Sequence, residues 1–154
     1  MRKGNVMTVK GENFSAVQVG AFDRLNDYKF THERLDFEIE GKLFLHQLLG
    51  LTSAEISLNK MPPKTSMPFY HTHRNNEEVY LFVGGTGEFE VDGQRIPVSE
   101  GTVVRVAPHG VRCWRNNSDQ PLYYIVIQAP FGGFTGDGSI NDGVGVEKRV
   151  EWND

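Results

Sequence analysis

An all-β domain of short strands, folded as a barrel or sandwich, is the class this sequence predicts. Three observations carry that reading. From Lys42 onward, short runs rich in β-branched and aromatic side chains alternate with turn residues. Asp92-Gly93, between Glu88–Val91 and Gln94–Val98, is the strongest short-range hairpin signal a sequence offers. The 17 glycines and 10 phenylalanines suit many strands joined by tight turns.

Taken in order, residues 1–41 contain one plausible strand, Phe14 to Val19, among mixed signals. Lys42 to Leu49 is strand or short helix, and periodicity alone does not decide. Ala54 to Asn59 alternates apolar and polar, then Met61-Pro62-Pro63 stops it, because proline gives a sheet ladder no donor. Phe69 to His73 reads as a strand, and Glu78 to Val83 as the next. The latter runs into Gly84-Gly85-Thr86-Gly87. No helix pattern follows that run, so it reads as a hairpin turn and not a phosphate cradle. Thr102 to Val106, Val111 to Arg115 and Leu122 to Ala129 complete the series, separated by Glu100-Gly101, Pro108-His109-Gly110 and the polar loop Asn116 to Pro121. Beyond Pro130 the chain turns glycine-rich, with Val146 to Trp152 read as a last edge strand.

A chain of 154 residues fits one domain with one core. Its net charge of −4, with acids and bases interspersed, lacks the basic face that nucleic acid requires. Cys113 is the only cysteine, so no intrachain disulfide forms. Met1 to Lys10 lacks the apolar run of a secretion signal, and Leu122 to Ala129 is too short to span a bilayer. The expectation is a cytoplasmic protein with no membrane partner.

Chemistry concentrates in the run from His71 to Tyr80. Two histidines two apart on a strand point the same way, so His71 and His73 can share one metal ion. A turn of Arg74, Asn75 and Asn76 follows, and Glu78 opens the next strand. Two histidines with one carboxylate is the set that holds non-haem Fe(II) on one face. The bland alternative is a group of inward polar residues that satisfy one another around water.

These residues resemble the cupin superfamily. Phe69 to Gly93 is similar to its first motif, with the glutamate six residues before a glycine. Glu78 with Gly85 meets that count, and so does Glu77 with Gly84; Glu78 is preferred because Val79 to Val83 then fits the family's strand. Gly101 to Asn116 resembles the second motif, with its turn at Pro108. The resemblance implies a single-domain, double-stranded β-helix (jelly-roll) barrel over residues 42–130. Residues 1–41 would pack on it as an N-terminal extension, and 131–154 would form a glycine-rich tail. It also implies a homodimer.

One departure matters. Metal-binding members place a third histidine four residues before an asparagine, and counting back from Asn116 reaches Arg112. Arginine stays protonated and does not coordinate a cation. Counting from Asn117 reaches Cys113, but the Pro121-Leu122 ending favours the Asn116 register. Arg112 has two readings: a fork that grips a ligand's acidic group, or an ion pair with Glu78. Tyr80, Phe82 and Trp114 are candidate pocket residues, although strand aromatics build core first. Glu55, Ser57 and Asn59 share one face, which the sequence leaves unassigned, and Gln128 is a further polar candidate. Three functions follow. One is a metal-dependent enzyme acting on a small, acidic organic molecule through Fe, Mn, Ni or Zn held by His71, His73 and Glu78. The second is a metal-free binder in which Glu78 and Arg112 pair. The third is a partner or regulatory module whose pocket is vestigial.

Overall fold

A computed structural model describes residues 6–136 and 139–152 of the chain. Strands β1 (Met7–Lys10) and β2 (Ser15–Gln18) form a separate hairpin, and a 3₁₀ helix spans Phe22–Asp27. Two short strands, β3 (Lys29–Phe30) and β4 (Ile39–Glu40), pair with each other. Then come β5 (Lys42–Phe44), the one-turn helix α1 (His46–Leu49), β6 (Glu55–Met61) and β7 (Thr65–Ser66). The remaining strands are β8 (Asn76–Gly84), β9 (Thr86–Val91), β10 (Gln94–Ser99), β11 (Val103–Val106), β12 (Arg112–Asn116) and β13 (Leu122–Pro130). A last helical turn, α2, covers Ser139–Asp142.

The strands make two antiparallel sheets, ordered β11-β8-β13-β6-β5 and β10-β9-β12-β7. From β6 to β9, and again from β10 to β13, the chain changes sheet at every step. That winding is the double-stranded β-helix. Between the sheets lies a core of Tyr80, Phe82, Phe89, Trp114, Leu122 and Tyr124 with aliphatic neighbours. Its rings meet mostly edge to face, while Phe89 and Trp114 stack at 5.8 Å. A second cluster, built on Leu25, Leu43, Leu45 and Leu58, packs the N-terminal residues against the outer face of the five-stranded sheet. Both faces of β5 are therefore used, Leu43 outward into that cluster and Lys42 and Phe44 inward.

Local signals explain the corners. Asp92 and Gly93 both have positive φ, 51° and 79°, as the two-residue turn between β9 and β10 requires. Asn116 is buried and staples the following loop. Its amide nitrogen donates to Met61 O, Pro62 O and Gln120 O, and its oxygen accepts from Ser118.

Four expectations need correction or completion. Phe69 to His73 is not a strand. His71 alone exchanges a pair of backbone bonds, with Arg112, while the His73 amide turns to Pro108 O. The Gly84–Gly87 run is a turn but not a hairpin, because β8 and β9 belong to different sheets and the glycines carry the chain between them. Gly85 has φ +83°, and a Cβ there would strike the Pro121 carbonyl, so this corner needs glycine. Lys42 to Leu49 is neither strand nor helix throughout but β5 followed by α1. Residues 146–152 form no strand, and Val146, Val150 and Trp152 lie exposed. Within the tail, residues 137, 138, 153 and 154 lie outside the described residues.

Candidate metal and ligand site

His71 and His73 sit beside the end of β12, on an irregular segment joined to that strand by the single bridge from His71 to Arg112. The bridge to Arg112 fixes His71, and the bond to Pro108 fixes His73. Their rings lie 5.3 Å apart, so the same-face expectation holds although the strand does not. Glu78, near the start of β8, completes the group. One donor atom from each of the three residues lies within 4.8 Å of the others.

Glu78 is buried and crowded with partners. His73 Nε2 approaches its Oε1 to 3.1 Å, and His71 Nε2 its Oε2 to 3.8 Å. Oε2 also accepts from the Tyr80 hydroxyl at 2.5 Å and from Arg112 Nη2 at 2.8 Å. Burial alone would push this carboxyl up. The contacts to His71, His73, Tyr80 and Arg112 outweigh it and hold Glu78 well below the usual carboxylate range. Burial and the adjacent Glu78 charge push the Tyr80 phenol up, so it stays a donor.

The neighbouring carboxylate is separate. Glu77 faces the other way and binds Arg105 across the sheet at 2.6 Å, as the strand pleat dictates. Cys113 is also set apart, with its sulfur 3.4 Å from Met67 O and its thiol pushed up by burial.

Arg112 is 0% exposed and does not line the cavity. Its Nε and Nη2 bind Glu78, and Nη1 binds Pro108 O and Gly110 O. Of its two expected roles, the structure shows the ion pair; the guanidinium stands behind Glu78 with its donors engaged. Phe82 likewise leaves the pocket list, because it packs in the core against Phe89 and Tyr124. Tyr80 and Trp114 do border the cavity.

The cavity itself has a volume of about 680 Å³. One wall is the inner face of β6, where Glu55, Ser57 and Asn59 point inward, so the structure assigns the face that the sequence left open. Gln128 on β13 lines it too and lies 3.2 Å from His73 Nδ1. Residues of the β3–β4 segment, including Phe30, Phe37 and Ile39, close another side. Sequence reasoning missed Lys42, whose amine meets Asn59 Oδ1 at 3.0 Å inside this space. The available signal was Lys42-Leu43-Phe44-Leu45, an alternation that puts one lysine among inward residues.

His71 Nδ1 is buried without a hydrogen-bond partner, and His73 Nε2 has the Glu78 carboxylate beside it at 3.1 Å. The Nε2 atoms of both imidazoles face an ionised carboxylate, a donor set that a divalent transition metal takes, so these residues fit such an ion.

Comparison with known proteins agrees with this architecture. The family described as "Cupin domain" matches residues 57–128. Among solved structures, a cupin protein from Bacteroides fragilis is 33% identical, with 76% of this chain covering 98% of that one at a TM-score of 0.66. A predicted oxalate decarboxylase from Thermotoga maritima is 19% identical over 73% of this chain and 99% of that one, with a TM-score of 0.58. A sugar phosphate isomerase from Silicibacter pomeroyi is 20% identical over 57% of each chain, with a TM-score of 0.53. These last two share the fold. No curated protein matches the sequence. No helix among the described residues is long and apolar enough to cross a membrane. With its jelly-roll winding, its histidine and glutamate cluster and its relative from Bacteroides fragilis, the chain belongs to the cupin superfamily.

Proposed function

We propose that the protein acts on a small organic molecule in the barrel cavity, with a divalent transition metal held by His71, His73 and Glu78. The observation that carries this reading is the convergence of the His71 and His73 Nε2 atoms on the Glu78 carboxylate, with one donor atom from each residue within 4.8 Å of the others. A metal bound there supplies Lewis-acid or dioxygen chemistry. The chain's own residues do the rest. Gln128 holds the His73 ring, and Tyr80 and Arg112 hold Glu78 ionised. Fold does not choose among oxygenase, isomerase and lyase, so the reaction class is left to experiment.

A metal-free binding protein is the second reading. Arg112 favours it, since the guanidinium already gives Glu78 a cationic partner. Elemental analysis of protein purified without an affinity tag, then titration with Fe(II), Mn, Ni and Zn, separates the two. The first reading expects one ion per chain, lost in His71→Ala. Absence of binding by all four ions leaves the metal-free binder.

The resemblance also suggests a homodimer. Light scattering on the intact chain tests this, with a monomeric mass as the contrary result.

A further inference from the structure

Lys42 has no role in the metal reading, yet it is the most unusual cation in the molecule. It enters the cavity wall from β5, opposite Asn59 in the register with β6. Its amine donates to Asn59 Oδ1 at 3.0 Å, lies 3.4 Å from Ser57 Oγ, and stands 4.8 Å from the centre of the Phe44 ring. The Asn59 oxygen is fixed in that direction, because the amide nitrogen is committed to Ser57 O, Ser57 Oγ and Tyr124 O. Two of the three ammonium hydrogens are thus engaged, and one remains.

None of the acids lining the cavity neutralises this amine. Glu38 and Glu40 pair with Lys29 at 2.7 and 3.0 Å. Glu55 accepts from the His46 amide at 2.9 Å, and Glu78 binds Arg112 at 2.8 Å. Among the described residues, Lys42 makes no ion pair. A desolvated ammonium without a counter-ion is unfavourable, and an anion placed against it removes that penalty.

We infer that Lys42 anchors the acidic end of the cavity's ligand, and that this ligand is a ring-bearing monocarboxylate. The inference rests on the cavity as a ligand site, the first part of the proposed function, and not on the metal. A single charge follows from the wall: the Lys60 amine is turned away to Asp23 O and Asn26 Oδ1, so Lys42 is left to meet the anion, and Glu55, which no described cation offsets, would oppose a second negative charge. A ring follows from the aromatic faces of Phe30, Phe37, Phe44, Phe69 and Trp114 around a space of about 680 Å³.

The amine's own titration gives an independent handle. Burial pushes Lys42 down to about 8 against the opposing pull of Glu78 and Glu55. The other charged or titratable groups around the same space are Glu38 and Glu40, paired with Lys29, Lys60, whose amine binds Asp23 O and Asn26 Oδ1, the imidazoles of His71 and His73, and the Tyr80 and Tyr124 phenols, both pushed up. A bound carboxylate raises the amine's proton affinity again. Binding therefore takes up protons near and above pH 8, and affinity declines as pH rises further.

The test compares acids with their isosteric amides: benzoate with benzamide, phenylacetate with phenylacetamide, and 2-naphthoate with 2-naphthamide. Calorimetry is run on wild type, Lys42→Met, Lys42→Arg and His71→Ala. Wild type should prefer an acid over its amide by about tenfold or more at pH 7. Lys42→Met should lose the preference while keeping amide affinity, Lys42→Arg should regain part of it, and His71→Ala should retain it. If Lys42→Met does not fold, wild type titrated at pH 8.5 in two buffers of different ionisation enthalpy still reports proton uptake with the acid and none with the amide. Equal affinity for acid and amide in wild type overturns the Lys42 assignment alone. A preference that survives Lys42→Met but vanishes in His71→Ala also overturns it and moves the anion to the histidine cluster. No binding of any probe at millimolar concentration overturns the cavity reading itself.

Discussion

Arg112 and Glu78 are joined through one carboxylate oxygen. Nη2 at 2.8 Å and Nε at 3.2 Å both reach Oε2, and Oε1 is left facing His73 at 3.1 Å. The carboxylate is thereby divided between two tasks. Oε2 compensates a buried guanidinium, and Oε1 stays with His73. A residue that would repel a cation from within the cavity is held behind the acid that would bind one.

Arg112→Met should destabilise the fold by about 3–5 kcal/mol, because Glu78 is left charged and buried without its partner. Adding Glu78→Gln in the same chain should recover part of that loss. Urea unfolding of the two single variants and the double variant checks both, and additive losses would show that the pair is not coupled.

Glu77 and Glu78 are neighbours with opposite fates. Glu78→Ala should abolish the binding of Zn or Ni seen by calorimetry. Glu77→Ala should leave it unchanged and cost only about 0–1 kcal/mol, since it breaks a partly exposed pair with Arg105. Equal metal loss in the two variants would mean that Glu77, not Glu78 alone, reaches the site.

Gln128 touches His73 Nδ1 at 3.2 Å and so sets which ring nitrogen is free. Gln128→Ala should weaken metal binding about 10- to 100-fold while leaving thermal stability near that of wild type. Unchanged metal affinity would remove Gln128 from the site.

Asn116 serves the loop and not the cavity. Asn116→Ala leaves the carbonyls of Met61, Pro62 and Gln120 short of a donor, at a cost of roughly 1–3 kcal/mol. Metal binding by the variant should match wild type, and amide exchange should quicken between Asn116 and Pro121. Loss of metal together with stability would show that the loop supports the histidines.

What the sequence made legible was whatever depends on period and turn chemistry. The Asp92-Gly93 hairpin and the strands from Glu78 onward follow from alternation and from residues that accept positive φ, and the convergence of His71, His73 and Glu78 was legible from the motif although the strand expected to carry the histidines does not form. Sheet membership was not legible, because Gly84–Gly87 reads alike whether the next strand folds back or crosses to the other sheet. The strand expected at Phe69–His73 failed because its backbone bonds go to β12 and to a turn, partners that only the tertiary fold supplies. Phe82 and Tyr80 alternate identically along β8, and only the position of the cavity separates core from wall. Lys42 was hidden for the same reason: its direction depends on β5 pairing with β6.

The cavity side formed by Phe30, Phe37 and Ile39 is borne on β3, β4 and the segment between them, and the two strands hold each other through two residue pairs and lie outside both large sheets. Selectivity and folding are thereby assigned to separate stretches of chain. Substitutions between residues 29 and 40 can reshape the chamber while the jelly-roll core keeps its packing, so a lineage of such proteins can change what it accepts without rebuilding the scaffold that holds it.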